Sequence, residues 1–238
     1  MKHPILLIAA ILLLLSGCAK EFNDGKDLPA KHPFSTAQMK RHHSDTIKLN
    51  SALGFLTGST TTIGNGSPNS DRTAYPSTEI MAGMWTVNGV AYAFYGYFFT
   101  TQALAPNVDD IQSASLSLFS NPTPLNGDKI HANSGTNNAF YVQRVTGDWD
   151  IFNLDAIRWG SQPAASTTDQ VLVPHTNLPF LDVDVDVTAM VKKAVRNGET
   201  VIGFRLNPVA NGPLNMRNFV SCDHERTDLQ PRLIIDYN

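Results

Sequence analysis

The chain of 238 residues lacks a basic excess. Its formal net charge is −3, and no stripe of lysine and arginine appears, which excludes the electrostatic footprint of a nucleic-acid binder. It lacks a long apolar run. The stretch from Ile5 to Leu15 falls short of the ~20 residues a spanning helix needs. It has no glycine-rich phosphate loop, no G-x-S-x-G context for a serine nucleophile and no D-x-D-x-D-G spacing of a dedicated calcium loop. No repeat period is visible. Cysteine is reduced to Cys18 and Cys222. Cys222, in "NFVSCDHE", reads as a buried free thiol.

What is present begins with the N-terminus. "MKHPILLIAAILLLLSGC" places a basic Lys2 before the apolar run and small residues after it, the order of a secretory signal. Leu15-Ser16-Gly17-Cys18 resembles the lipobox of bacterial lipoproteins. That resemblance implies cleavage before Cys18, a diacylglycerol on its sulfur and N-acylation. Several acyl chains give a durable membrane anchor, since each buried CH₂ contributes ~0.8 kcal/mol. Ala19 and Lys20 follow where an inner-membrane retention signal would place aspartate, so the outer membrane is the expected location. Loss of residues 1–17 removes Lys2 and takes the charge from −3 to −4. With Cys18 acylated, only Cys222 remains and no internal disulfide is expected.

Residues 18–44 read as a lipidated tether, because "AKEFNDGKDLPAKHPFSTAQMKRHHSD" is polar, charged and aperiodic. His32, His42 and His43 fall in it without the spacing of a metal site. Residues 45–238 then suit one domain. Turn signals such as "TVNG", "NPTPLNGD" and "NPVANGP" separate runs of strand length with period two. "SASLSLF" puts Leu116 and Leu118 on one face; "VIGFRL" sends Ile202, Phe204 and Leu206 inward and Arg205 outward. "RLIIDY" buries Leu233, Ile235 and Tyr237. "AYAFYGYFF" is apolar on both faces. The expected fold is all-β, a jelly-roll-like antiparallel sandwich. One helix is expected at about 187–197, from the stripe Val187, Met190, Val191, Ala194 and Val195. Asn197-Gly198 stops it, and Asp186 is placed at its N-cap.

The ordered segments "IQSASLSLFS", "YVQRVTGDWDIFNLDAIRWGSQPA", "DVDVTAMVKKAVRNGETVIGFRL" and "FVSCDHERTDLQPRLIIDY" resemble the DNRLRE domain. This is a secreted bacterial and archaeal module also described as carbohydrate-binding. "MWTVNGVAYAFYGYFFTTQAL" is similar to its first half. The handles are Trp149 and Trp159, Asp186-Val187-Thr188, Gly203-Phe204 and Pro231-Arg232-Leu233. The resemblance implies a jelly-roll-like sandwich and, in some relatives, binding of polysaccharides including acidic ones. The chain departs from the pattern at Ile151, where a carboxylate is common; Asp150 stands beside it. No catalytic pair comes with the motif.

Each chemical candidate stands beside a plainer reading. Asp182, Asp184 and Asp186 alternate along one strand, so the outer two sit ~13 Å apart. That is too far to share a calcium ion, which holds oxygens at ~2.3–2.6 Å. Asp182 and Asp184 are expected to face water. A separate structural calcium is considered at Asp109 and Asp110 or at Asp128. Glycoside hydrolysis needs two carboxylates across a cleft, and nothing pairs Asp148, Asp150, Asp155 or Glu225. For a lyase, Tyr141, His131, His224 and Arg144 are the only groups to name. Sugar binding asks less: flat rings for C–H faces and planar donors for hydroxyls or carboxylates. The outward candidates are Arg144, Arg205, Arg217 and Arg226, with Tyr95, Tyr97 or Trp85 as platforms and Trp149 and Trp159 as core anchors. Two functions remain: a non-catalytic polysaccharide-binding lipoprotein, or a structural or adhesive surface protein that binds proteins or assembles.

Overall fold

The computed structural model describes residues 58–64, 78–100, 103–104, 107–149, 157, 159–210 and 212–237. The expected signal, the expected lipidation site Cys18, the expected tether with its histidines, and Asp150, Ile151 and Asp155 lie outside the described residues.

The domain is an all-antiparallel β-sandwich with one α-helix, built from two sheets of unequal size. Among the described residues eleven strands run in chain order: β1 Gly58–Gly64, β2 Glu79–Val87, β3 Val90–Thr100, β4 Ile111–Leu118, β5 Asn133–Ser134, β6 Phe140–Val145, β7 Ala165–Val173, β8 Val183–Asp186, β9 Gly203–Pro208, β10 Asn215–Val220 and β11 Arg232–Tyr237. The large sheet follows the order β5-β10-β2-β3-β9-β6-β7, with β1 added on β3, and it curls into a half-barrel. The small sheet is β11-β4-β8.

Local chemistry explains the joints. "VNGV" turns β2 into β3 with Asn88 at φ 51° and Gly89 at φ 78°. Two consecutive positive φ values are those of a type I′ hairpin, whose twist matches the flanking strands. Alternation holds in β11, where Leu233, Ile235 and Tyr237 are buried and Arg232, Ile234 and Asp236 are not. Leu116 and Leu118 of β4 and Phe204 and Leu206 of β9 meet in the main core between the sheets, with Phe98, Phe140 and Phe219. Cys222 is half-buried against this core rather than fully enclosed.

The helix, α1, spans Thr188–Arg196, and its stripe Met190, Val191, Ala194 and Val195 is buried. Its end is a Schellman closure: Gly198 N–H donates to the Val195 carbonyl at 2.9 Å and Glu199 N–H to that of Ala194 at 3.0 Å. Gly198 takes φ 77°, which a Cβ would resist. The N-terminus corrects the expectation. Val187, not Asp186, occupies the cap position. Asp186 acts one residue earlier: its Oδ1 accepts from the Thr188 N–H at 2.9 Å and the Thr188 hydroxyl at 2.6 Å. Those two bonds hold its carboxyl below the ordinary range. The other two aspartates are exposed or half-buried but not merely solvated. Asp182 accepts from the Ser120 N–H at 2.8 Å, and Asp184 accepts from the Ser117 hydroxyl across the β4–β8 ladder.

Candidate functional site

Strand parity turns Tyr95, Tyr97 and Phe99 of β3 away from the inter-sheet core, to which Phe98 belongs. Register then lines up one cross-strand row: Tyr97 opposite Arg205, Arg205 opposite Gln143, and Gln143 opposite Gln170. The row is hydrogen-bonded end to end. Arg205 Nε and Nη2 both donate to Gln143 Oε1, at 3.1 and 2.7 Å. Gln143 Nε2 passes the polarity on to Gln170 Oε1 at 2.7 Å. On the other side, Arg205 Nη1 and the Tyr97 hydroxyl donate to Gln162 Oε1 at 3.2 and 3.1 Å.

The neighbouring row is more open. Tyr141 lies opposite both Asn207 and Leu172, and Leu172 is 50% exposed. Tyr95, half-buried, carries the Arg205 guanidinium 5.4 Å above its ring and meets the Trp159 ring at 4.8 Å. In the opposite direction the face is covered. Trp149 packs on Phe99 with centroids 4.4 Å apart, and Ile157 and Val145 complete this outer cluster. Gly203 stands opposite Phe99, and a Cβ there would lie 2.5 Å from the Phe99 ring. Only glycine lets that ring lie flat. Beyond Trp149 opens a cleft of about 520 Å³, lined by Val145 to Trp149 and by Gly198 to Val201.

Arg205 forms no ion pair with a carboxylate among the described residues. A guanidinium has five N–H donors; Nε, Nη1 and Nη2 each use one, leaving two for a ligand. Burial, partly offset by Arg205, pushes the Tyr97 phenol up to about 12. Tyr97 therefore remains a neutral donor across the physiological range.

The remaining sequence candidates are not gathered here. Arg217 was expected to point outward; it is 0% exposed, on the core side, with its guanidinium against both the Phe140 and Phe219 rings, which themselves meet edge to face. Its single hydrogen bond goes to the Leu181 carbonyl at 3.4 Å, and burial lowers it to about 10. Arg144 was likewise expected outside. It is 4% exposed, in register with Phe204 on the core side, and bound to Glu199 at 2.6 Å and Asp169 at 3.3 Å. Arg226 is exposed and paired with Asp228 at 2.8 Å. Trp85 packs on a separate cluster of Met81, Phe94 and Met216. Trp149 and Trp159 anchor the outer cluster, not the core between the sheets.

The loop carboxylates have local partners. Asp110 accepts from Asn107, and Asp128 accepts from the Ile130 N–H and faces His131 at 2.9 Å. Among the described residues no three His, Cys, Asp or Glu side chains gather into a metal-binding group. His224 accepts from the Arg226 N–H, and Glu225 is exposed.

Sequence reading missed Gln143, Gln162 and Gln170. Alternation within "YVQRV" and "TDQVLV" places Gln143 and Gln170 on a face, but only cross-strand register brings Gln143 to Arg205 and Gln170 to Gln143, and Gln162 arrives from the loop that follows Trp159–Ser161. The chain matches no family model and no curated protein sequence.

Proposed function

We propose that this chain is a lipid-anchored surface protein whose sandwich binds polysaccharide, acidic chains included, without transforming it. The observation that carries this reading is Arg205: a cation without a carboxylate partner among the described residues, seated over Tyr95 and framed by Gln143, Gln162 and Trp159. Aromatic rings stack on the C–H faces of sugars, amides exchange bonds with hydroxyls, and a guanidinium pairs with uronate carboxylates. The resemblance to DNRLRE domains adds a module with the same class of ligand. Anchorage at Cys18 in the bacterial outer membrane belongs to the same proposal.

A non-catalytic role is supported by the chemistry of the groups in place. Tyr97 is held protonated, unsuited to abstract a proton. Glu199, the carboxylate of the cleft nearest to buried machinery, is committed to Arg144 and Asn197.

Affinity electrophoresis through gels containing polygalacturonate, hyaluronan or a neutral β-glucan tests the reading. Retardation by an acidic polymer, lost in Arg205→Ala, is the expected result; migration unchanged in all three gels would reject it. For the anchor, wild-type protein partitions into detergent and Cys18→Ser stays in the aqueous phase.

A further inference from the structure

We infer that Tyr141 is the ring on which a sugar stacks, and that a bound chain runs across the strands from Arg205 toward β7. One acidic unit then sits at the arginine and the next unit on the tyrosine. This rests on the polysaccharide-binding reading above and deepens it.

The rings along β3 are already engaged. Tyr97 and Phe99 are 0% exposed, so a ligand does not follow that strand past Tyr95. The Tyr95 ring holds the Arg205 guanidinium at 5.4 Å and the Trp159 ring at 4.8 Å. It is the seat of the cation rather than an open plane.

Register supplies an open ring on the next row. Leu206 pairs with Val142, and both belong to the main core. Asn207 and Tyr141, one step on, pair with each other and therefore point outward, on the face of Arg205; Tyr141 pairs in turn with Leu172. Tyr141 and Asn207 are half-buried and Leu172 is exposed. Among the described residues the Tyr141 ring meets no other ring or cation, and neither its hydroxyl nor the Asn207 amide has a hydrogen-bond partner. Arg205 pairs with Gln143, so Arg205 and Tyr141 are diagonal neighbours on adjacent strands, ~7–8 Å apart. That separation assigns a carboxylate at the guanidinium and an apolar face on the ring to adjoining sugar units. Tyrosine offers a flat apolar body with a polar tip, Asn207 adds a donor and an acceptor for hydroxyls, and Leu172 extends the apolar floor. Because β9, β6 and β7 are neighbours in that order, the path from Arg205 through Tyr141 to Leu172 crosses the strands instead of following one.

The test uses the full chain in detergent, with affinity electrophoresis through polygalacturonate and circular dichroism to show that each variant is folded. Tyr141→Ala is expected to weaken retention about tenfold, the loss of an aromatic anchor. Tyr141→Phe keeps the ring and should stay within about twofold of wild type. In competition, a galacturonate trimer should release the protein at a concentration roughly tenfold below that of the monomer, because only the trimer reaches both groups. Unchanged retention in folded Tyr141→Ala, an equal loss in Tyr141→Phe, or a monomer that competes as well as the trimer overturns the transverse platform. Each leaves sugar binding standing, provided Arg205→Ala still weakens retention. Should Tyr141→Ala fail to fold, Tyr141→Phe and the competition decide. If folded Arg205→Ala migrates as wild type, the underlying reading falls and this inference with it.

Discussion

The outer faces of the two sheets are built by the same alternation and end in opposite chemistry. On the small sheet, Ser113 and Ser117 project outward and donate to Asp236 and Asp184 on the strands beside them. Each acid takes a serine hydroxyl from the strand beside it, and the charge these acids offer is negative. On the large sheet, the outward row holds tyrosine, arginine and glutamine. Tyr97 and Gln143 in that row are buried, while Arg205 is half-buried and has no carboxylate partner among the described residues. That cation, beside the half-buried Tyr95 and Trp159 rings, is what the proposed binding reading rests on.

The contrast breaks most visibly at Arg205. Its replacement by alanine is expected to weaken acidic-polysaccharide binding by about 2 kcal/mol, roughly thirtyfold, the size of a charge-assisted hydrogen bond. Stability to denaturant should fall too, by about 1–3 kcal/mol, because the truncation strands the carbonyl of buried Gln143, so binding is compared under conditions where both proteins are folded.

Arg217, in the core, should behave in the reverse way. It is a buried cation whose only resolved influence is loss of water, with Nε and Nη1 unpartnered. Arg217→Met places a flexible apolar chain against the Phe140 and Phe219 pair. Urea unfolding should show a gain of about 1 kcal/mol or more, with binding intact.

On the small-sheet side, Asp186→Ala removes the acceptor for two Thr188 donors and should cost about 1 kcal/mol, again without effect on binding. Its pH dependence follows from the direction of the shift. The folded carboxyl titrates below the ordinary aspartate range, so the stabilisation is fully present above that range and is lost as pH falls through the depressed folded value. Wild-type and variant stabilities should therefore converge once acid titration has passed that value.

The smallest effect is expected at Tyr97→Phe. It deletes one hydrogen bond to Gln162 at about 0.5–1 kcal/mol, measurable by calorimetry, and loosens Gln162 without removing the ring.

How far the sequence foretold these faces differs element by element. α1 was legible because its period and its stop are local, while its entry was placed one residue early, at Asp186 instead of Val187. Arg205 was legible because Phe204 and Leu206 flank it on a strand with one buried side. Arg217 was not. All six residues of β10 are buried, so both sides of that strand are covered and alternation carries no sign. Arg144 was misplaced for a related reason: plain alternation puts it on the core side with Val142, opposite Phe204, and β6 is buried on both sides save at Tyr141, so its pattern does not say which parity faces out. The glutamines were invisible as a set because pairing between distant strands is not written in any short window.

One feature of this arrangement reaches into folding kinetics. Arg205 meets Gln143 from 62 residues away and Gln162 from 43, while Tyr97 meets Gln162 from 65. β3 joins β9 at Thr100 and Ile202, across 102 residues. Contacts this remote close large loops before they return any free energy, and such topologies fold slowly. The binding row is therefore completed only when the central strands have all docked. In a refolding experiment, retention on polysaccharide should return with the slowest phase, after α1 has regained its ellipticity. Ligand capture then serves as a clock for the last step of assembly.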